Sequence, residues 1–140
     1  MAMTMHVDIV SAEEAIYSGP AEMLFAPAEM GEVGVLPRHA PLLTRLNPGE
    51  VRVRHGGEEE SIYVSGGILE IQPEGVTVLS DTAVRAKDLD EAAAIQAKEK
   101  AEQALHDKQS EIDYGLAKAR LAEAAAQLKI LQKARKSAGR

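Results

Sequence analysis

The chain has no cysteine and no tryptophan, and its aromatic side chains are one phenylalanine and three tyrosines. Without cysteine there is no disulfide scaffold, thiolate metal site or thiol nucleophile, which fits a reducing compartment. So few rings leave almost no platform for stacking bases or sugars. The net charge of −6 also weighs against nucleic acid as a partner. No apolar run approaches the roughly 18 residues of a membrane-spanning helix. The opening Met1-Ala2-Met3-Thr4-Met5-His6 lacks the basic segment and apolar core of a signal peptide, and it lacks the arginines of a transit sequence. Signatures of chemistry are missing too. Ser65-Gly66-Gly67 has not the flanks of a nucleophile elbow. Gly31-x-x-Gly34 is not followed by the Gly-Lys-Ser/Thr of a phosphate loop. The four histidines, His6, His39, His55 and His106, stand at no metal-ligand spacing. A metal enzyme would have to bring His6 and His39 together across the fold.

What is present divides unevenly. Residues 1–84 carry four arginines, no lysine and thirteen acidic residues, whereas residues 85–140 carry twelve basic and nine acidic ones. The last twelve positions hold Lys129, Lys133, Arg135, Lys136 and Arg140 without an acid. An acidic half and a half with a basic tail suggest two modules with different partners.

Through the first module, short apolar runs are broken by turn residues. His6-Val7-Asp8-Ile9 and Val51-Arg52-Val53-Arg54 alternate as half-buried strands do. His55-Gly56-Gly57 is a hairpin signal, with Glu58-Glu59-Glu60 expected as a solvated tip. Ser61–Val64, Ile68–Ile71 and Val76–Leu79 follow at close spacing. About ten short strands predict an antiparallel sandwich. The stretch Gly31-Glu32-Val33-Gly34-Val35-Leu36-Pro37-Arg38-His39-Ala40-Pro41-Leu42-Leu43-Thr44 mixes glycine and proline with apolar residues. It is expected to be a shaped, partly buried loop rather than a linker.

Past Ala86 the pattern changes. Asp88-Leu89-Asp90-Glu91 offers caps and first-turn acids, and residues 90–106 are rich in Ala, Glu, Lys and Gln. Ala94, Ala97, Ala101 and Ala104 form one stripe. Residues 107–113 read as a turn, and a second helix is expected from about Tyr114 to Lys136. Its stripe is Tyr114, Ala117, Leu121, Ala124, Leu128 and Leu131. These are the marks of an antiparallel helical hairpin. Its seam of alanine methyls closes weakly, while each helix persists by propensity. Such a hairpin can act as a two-state element. The residues alone thus support a non-enzymatic α+β adaptor, with a sandwich over residues 1–86 and a helical hairpin over residues 87–140. A free-standing sandwich that dimerises through its helices is the alternative.

Several stretches carry a resemblance. They are the Gly31–Thr44 stretch, His6-Val7-Asp8-Ile9-Val10-Ser11, Ser65-Gly66-Gly67-Ile68-Leu69-Glu70-Ile71, Val76-Thr77-Val78-Leu79-Ser80-Asp81-Thr82-Ala83 and Asp88-Leu89-Asp90-Glu91-Ala92. Together they closely resemble the epsilon-subunit family of bacterial F-type ATP synthases, in order and along essentially the whole chain. The resemblance implies a ten-stranded sandwich and a helical hairpin. It also implies a rotor subunit of the central stalk, without catalytic, cofactor or metal residues, peripheral on the cytoplasmic face of the inner membrane. The loop bearing Glu32 and His39 matches the contact to the ring of c subunits, and Arg38 adds a cation to that contact. Ser11, Thr44, Ser65, Glu70, Gln72 and Thr77 match positions at or near the gamma subunit. In the family the hairpin extends among the beta and alpha subunits to inhibit ATP hydrolysis, so Lys129, Lys133, Arg135 and Lys136 would face acidic loops of the beta subunits. Two departures matter. Some members bind ATP on the hairpin through Leu/Ile-Asp-x-x-Arg-Ala, but Ala93 stands here where that arginine belongs, and Glu123 and Gln127 stand at later arginine positions. Without those cations nucleotide binding is expected to be weak or absent. Arg38 replaces a common glycine, which speaks against a positive-φ turn there.

Overall fold

The computed structural model describes residues 3–106 and 111–138, and the side chains of all these except 111–113, 137 and 138. The chain divides into two compact units, Met1–Ala86 and Lys87–Arg140.

The first unit is one continuous sheet. Its strands are β1 (Met5–Val10), β2 (Ala15–Ala21), β3 (Met23–Ala28), β4 (Gly31–Val35), β5 (Leu42–Leu46), β6 (Gly49–His55), β7 (Glu58–Val64), β8 (Gly67–Gln72), β9 (Gly75–Leu79) and β10 (Ala83–Arg85). They lie in the order β10-β7-β6-β3-β5-β8-β9-β1-β2, with β4 paired to β3. The β1–β9 pair is parallel and the remaining pairs are antiparallel. The expected α+β architecture of ten strands followed by helices is what the chain adopts.

Alternation builds the core. Val7 and Ile9, Val51 and Val53, Leu69 and Ile71, and Val76 and Val78 all point inward and are buried, joined by Leu24, Val35 and Ile62. The sheet curls until its two ends meet. Arg85 on β10 donates from Nη2 to the Ile16 carbonyl on β2, and its Nε reaches Glu60 at 2.9 Å. Tyr17 sits at this junction, its hydroxyl donating to the Pro20 carbonyl at 2.7 Å. Burial, and secondarily the Glu60 charge, push the Tyr17 phenol above its ordinary pKa of 10.

Two local expectations change. Gly31–Val35 is not loop but strand β4, because it finds a partner in β3 from Leu24↔Val35 to Ala28↔Gly31. Only the residues between β4 and β5 remain irregular. The acidic run Glu58–Glu60 is not a free tip either. The hairpin turns on Gly56 and Gly57, at φ 61° and 81°, so all three glutamates lie on β7. Glu59 then meets Arg54 at 2.7 Å, and Arg52 spans Glu32 at 3.0 Å and Glu50 at 3.8 Å. Both guanidinium groups lie over the Phe25 ring, at 4.1 and 5.0 Å.

The second unit opens with a 3-10 turn, Ala86–Asp88, and continues as α1 (Glu91–His106) and α2 (Glu111–Ala138). Asp90 caps α1, with its carboxylate accepting from the Ala93 amide at 3.2 Å. The expected turn over 107–113 is shorter than read: Glu111–Asp113 already belong to α2, and residues 107–110 lie outside the described residues. The seam is indeed alanine. Ala94 and Ala101 of α1 are buried, as are Ala117 and Ala124 of α2. Ala97, Ala104 and Tyr114 are exposed instead, while Leu121, Leu128 and Leu131 are half-buried. Ile130, outside the expected stripe, is buried.

Candidate interaction surfaces

The pleat of the sheet sorts the expected contact residues onto different surfaces. On the outer face of β5, β8 and β9, Leu43 stands opposite Glu70, Glu70 opposite Thr77, and Ile68 opposite Leu79. The parallel pairing continues the face onto β1, placing Asp8 beside Thr77 and Val10 beside Leu79. Three large aliphatic side chains are in the open here: Leu43 is 68% exposed, Ile68 41% and Leu79 48%. An apolar strip edged by Arg45, Glu70 and Thr77 on a rigid sheet has the composition of a protein-binding face. Glu70, Gln72 and Thr77 share it. Thr44 does not, because it pairs with buried Leu69 and so faces the core side. Ser11 turns its hydroxyl into the β1–β2 connection, accepting from the Glu14 amide at 3.2 Å. Ser65 accepts from the Thr82 amide at 3.1 Å and meets Ser80 Oγ at 3.3 Å, tying β7–β8 to the segment before β10. These two serines shape turns.

A second surface is the cleft at one end of the sheet. It has a volume of about 500 Å³ between the Met3–His6 segment, the β4–β5 turn and the β8–β9 turn, and Arg38 and His39 line it. His6 lines it as well, so the two histidines considered as metal ligands do share a site. Each is otherwise engaged: His6 Nε2 lies 3.2 Å from Asp8 Oδ1, and His39 Nδ1 lies 2.7 Å from the Ala40 carbonyl. Among the described residues, no group of three or more His, Cys, Asp or Glu side chains is placed to hold a metal ion. Glu32 stands apart from this cleft, on the outer face and held by Arg52. Arg38 adopts φ 70°, so the positive-φ turn is kept despite the missing glycine. For an L side chain that conformation costs on the order of 1 kcal/mol.

The helical unit has its own groove between α1 and α2, about 860 Å³, lined by alanines and by Lys100, Arg120, Glu123 and Gln127. Glu123 and Gln127 stand at the later arginine positions of the nucleotide-binding members. Lys100 and Arg120 are cations the sequence reading passed over, since neither belongs to the motif. Ala93 is exposed. In the basic tail, Arg135 is ion-paired with Glu91 at the start of α1, while Lys129, Lys133 and Lys136 are exposed.

The ATP synthase delta/epsilon chain beta-sandwich domain matches residues 4–86, and the long alpha-helix domain of the same chain matches residues 87–132. The chain belongs to the ATP synthase delta/epsilon family. An ATP synthase epsilon chain of Nitrosococcus oceani is 65% identical over 140 residues, covering 99% of this chain and 100% of that one. Another, from Thioalkalivibrio sulfidiphilus, is 62% identical over 138 residues, covering 97% and 98%. A chain in the mitochondrial ATP synthase of Euglena gracilis superposes with a TM-score of 0.81 at 21% identity, covering 91% of this chain and 81% of that one. A chain of the Tetrahymena thermophila central stalk and c-ring gives 0.65 at 14%, covering 92% and 97%. At those identities the superpositions speak for the fold. For this delta/epsilon chain, the residues that the sequence reading missed are Leu43, Ile68 and Leu79. The alternation alone could have found them, since Ile68 and Leu79 occupy the outward phase of strands whose inward phase is already apolar.

Proposed function

We propose that the chain is the epsilon subunit of a bacterial F-type ATP synthase, a non-catalytic rotor part that couples proton passage to ATP synthesis. The observation that carries this reading is the 65% identity to an ATP synthase epsilon chain across both units and the full length. The outer face of β5, β8, β9 and β1 is the docking surface for the gamma subunit. Leu43, Ile68 and Leu79 form its apolar centre, with Glu70, Gln72 and Thr77 around them. An interface with aliphatic residues at its middle and polar ones at its rim fits a long-lived contact. The end cleft with Arg38 and His39 meets the c-ring, and Glu32 approaches the ring from the neighbouring outer face. The helical unit is regulatory. Its alanine seam holds the two helices together weakly, and when it extends among the beta and alpha subunits, Lys129, Lys133, Arg135 and Lys136 meet acidic loops of the beta subunits and block hydrolysis. The subunit lies on the cytoplasmic face of the inner membrane, attached only through the complex. It uses no metal or cofactor of its own, and nucleotide binding in the hairpin groove is weak.

Removing residues from Asp88 onward separates the two roles. The shortened chain is expected to co-purify with gamma and to raise the ATPase activity of the assembled complex. Loss of gamma binding would overturn the division of labour, and unchanged ATPase activity would overturn the inhibitory role.

A further inference from the structure

Pro37 stands second and Arg38 third in the four-residue turn Leu36–His39, which is closed by the His39 amide donating to the Leu36 carbonyl at 3.1 Å. Proline at the second position and a positive φ at the third are the marks of a type II turn, whose third position favours glycine. Arg38 holds that position at φ 70°. A strained residue kept at a surface turn points to a use for its side chain.

The charge environment says which use. The sandwich unit is strongly acidic, with thirteen carboxylate side chains in residues 1–84. Arg52, Arg54 and Arg85 all engage carboxylates. Among the described residues Arg38 and Arg45 pair with none, and of these two Arg38 stands in the cleft, which Glu74 also lines. The cleft beside Arg38 is also lined by Met5 and Leu36, and a carboxylate entering it can take the guanidinium fork in a bidentate pair. A membrane surface rich in anionic lipid would be repelled by so acidic a unit. A carboxylate side chain on a protein loop would meet one cation locally and an apolar wall beside it.

We propose that Arg38 is a specificity-determining residue of the ring contact, and that it takes a carboxylate on the polar loop of a ring subunit. This rests on the ring-contact reading given above. On this view the turn is strained so that a cation can stand in a cleft that Glu74 also lines.

The test uses the full chain bound to gamma, titrated onto detergent-solubilised c-ring. Arg38→Gly removes charge and strain together. It is expected to raise the melting temperature of the chain while weakening ring binding three- to tenfold. It should also flatten the salt dependence seen with the wild type, and Arg38→Lys should restore part of both losses. If Arg38→Gly binds the ring as tightly as the wild type, with the same salt dependence, the assignment of Arg38 is overturned. If anionic lipid vesicles bind the chain and lose it on Arg38→Gly, the carboxylate partner is overturned in favour of a phosphate headgroup. Failure of the wild-type complex itself to bind the ring would overturn the ring-contact reading instead.

Discussion

The two units of this chain solve the same problem with opposite means. The sandwich buries leucine, isoleucine and valine, with Leu24, Ile62, Leu69 and Ile71 at most 2% exposed. Each such side chain is worth about 1.5–3 kcal/mol on burial. The helical unit buries Ala94, Ala101, Ala117 and Ala124, with Ile130 its one large aliphatic side chain among the buried described residues. An alanine methyl contributes about a third of that. The sandwich is therefore held by packing and loses its shape with it. The helices are held by local propensity, so their association is the weak link while their helicity is not. A tightly packed part and a loosely packed part are encoded by side-chain size more than by secondary-structure type.

The contrast can be broken from either side. Gly67 sits at φ 125°, and a Cβ there would fall 1.9 Å from the Leu79 carbonyl oxygen. Gly67→Ala must push β8 from β9, and we expect a loss of more than about 3 kcal/mol, or no folded sandwich at all, in urea unfolding. On the helical side, Ala101→Gly removes a seam methyl and one good helix former, for about 1–2 kcal/mol. Helical circular dichroism should fall while the unfolding midpoint of the sandwich stays put. A common loss in both signals would mean that the units do not fold independently. The smallest effect is one of pH. The folded phenol of Tyr17 is held above its unfolded pKa of 10, so its neutral form is favoured in the fold. That stabilisation is complete below pH 10 and is lost as pH rises through the higher folded value. Sandwich stability should therefore decline on the alkaline side, and Tyr17→Phe should flatten that decline; an unchanged slope would assign the decline to other groups.

Much of this was legible in the sequence, for identifiable reasons. Period-2 alternation located the strands, because one face of nearly every strand is buried. The Asp90 cap and the alanine stripe located the hairpin, because those signals are local. What failed to show was pairing across distance. Gly31–Val35 looks like loop until β3 is beside it, and Glu58–Glu60 looks like a solvated tip until Arg52, Arg54 and Arg85 arrive from other strands. The residues expected at the gamma contact followed the same rule. Glu70, Gln72 and Thr77 fell on one face because they share a phase. Ser11, Ser65 and Thr44 did not, since turn hydrogen bonds and strand phase are decided by neighbours far along the chain. Arg38 looks like an obstacle to its turn, because sequence rules weigh the cost of a conformation and not the surroundings that impose it.

The meeting of β10 and β2 has a consequence for the molecule in company. A sheet with two open edges offers rows of unpaired amides and carbonyls to any strand that passes, including those of its own copies. Here one edge is a strand of three residues, Ala83–Arg85, and the other carries Pro20. Arg85 spends its guanidinium on the Ile16 carbonyl of that other edge. Each end is thereby shielded by the other. Growth by strand addition is hindered at β10 and β2, and an edge that stays open is that of β4, which pairs with β3 alone.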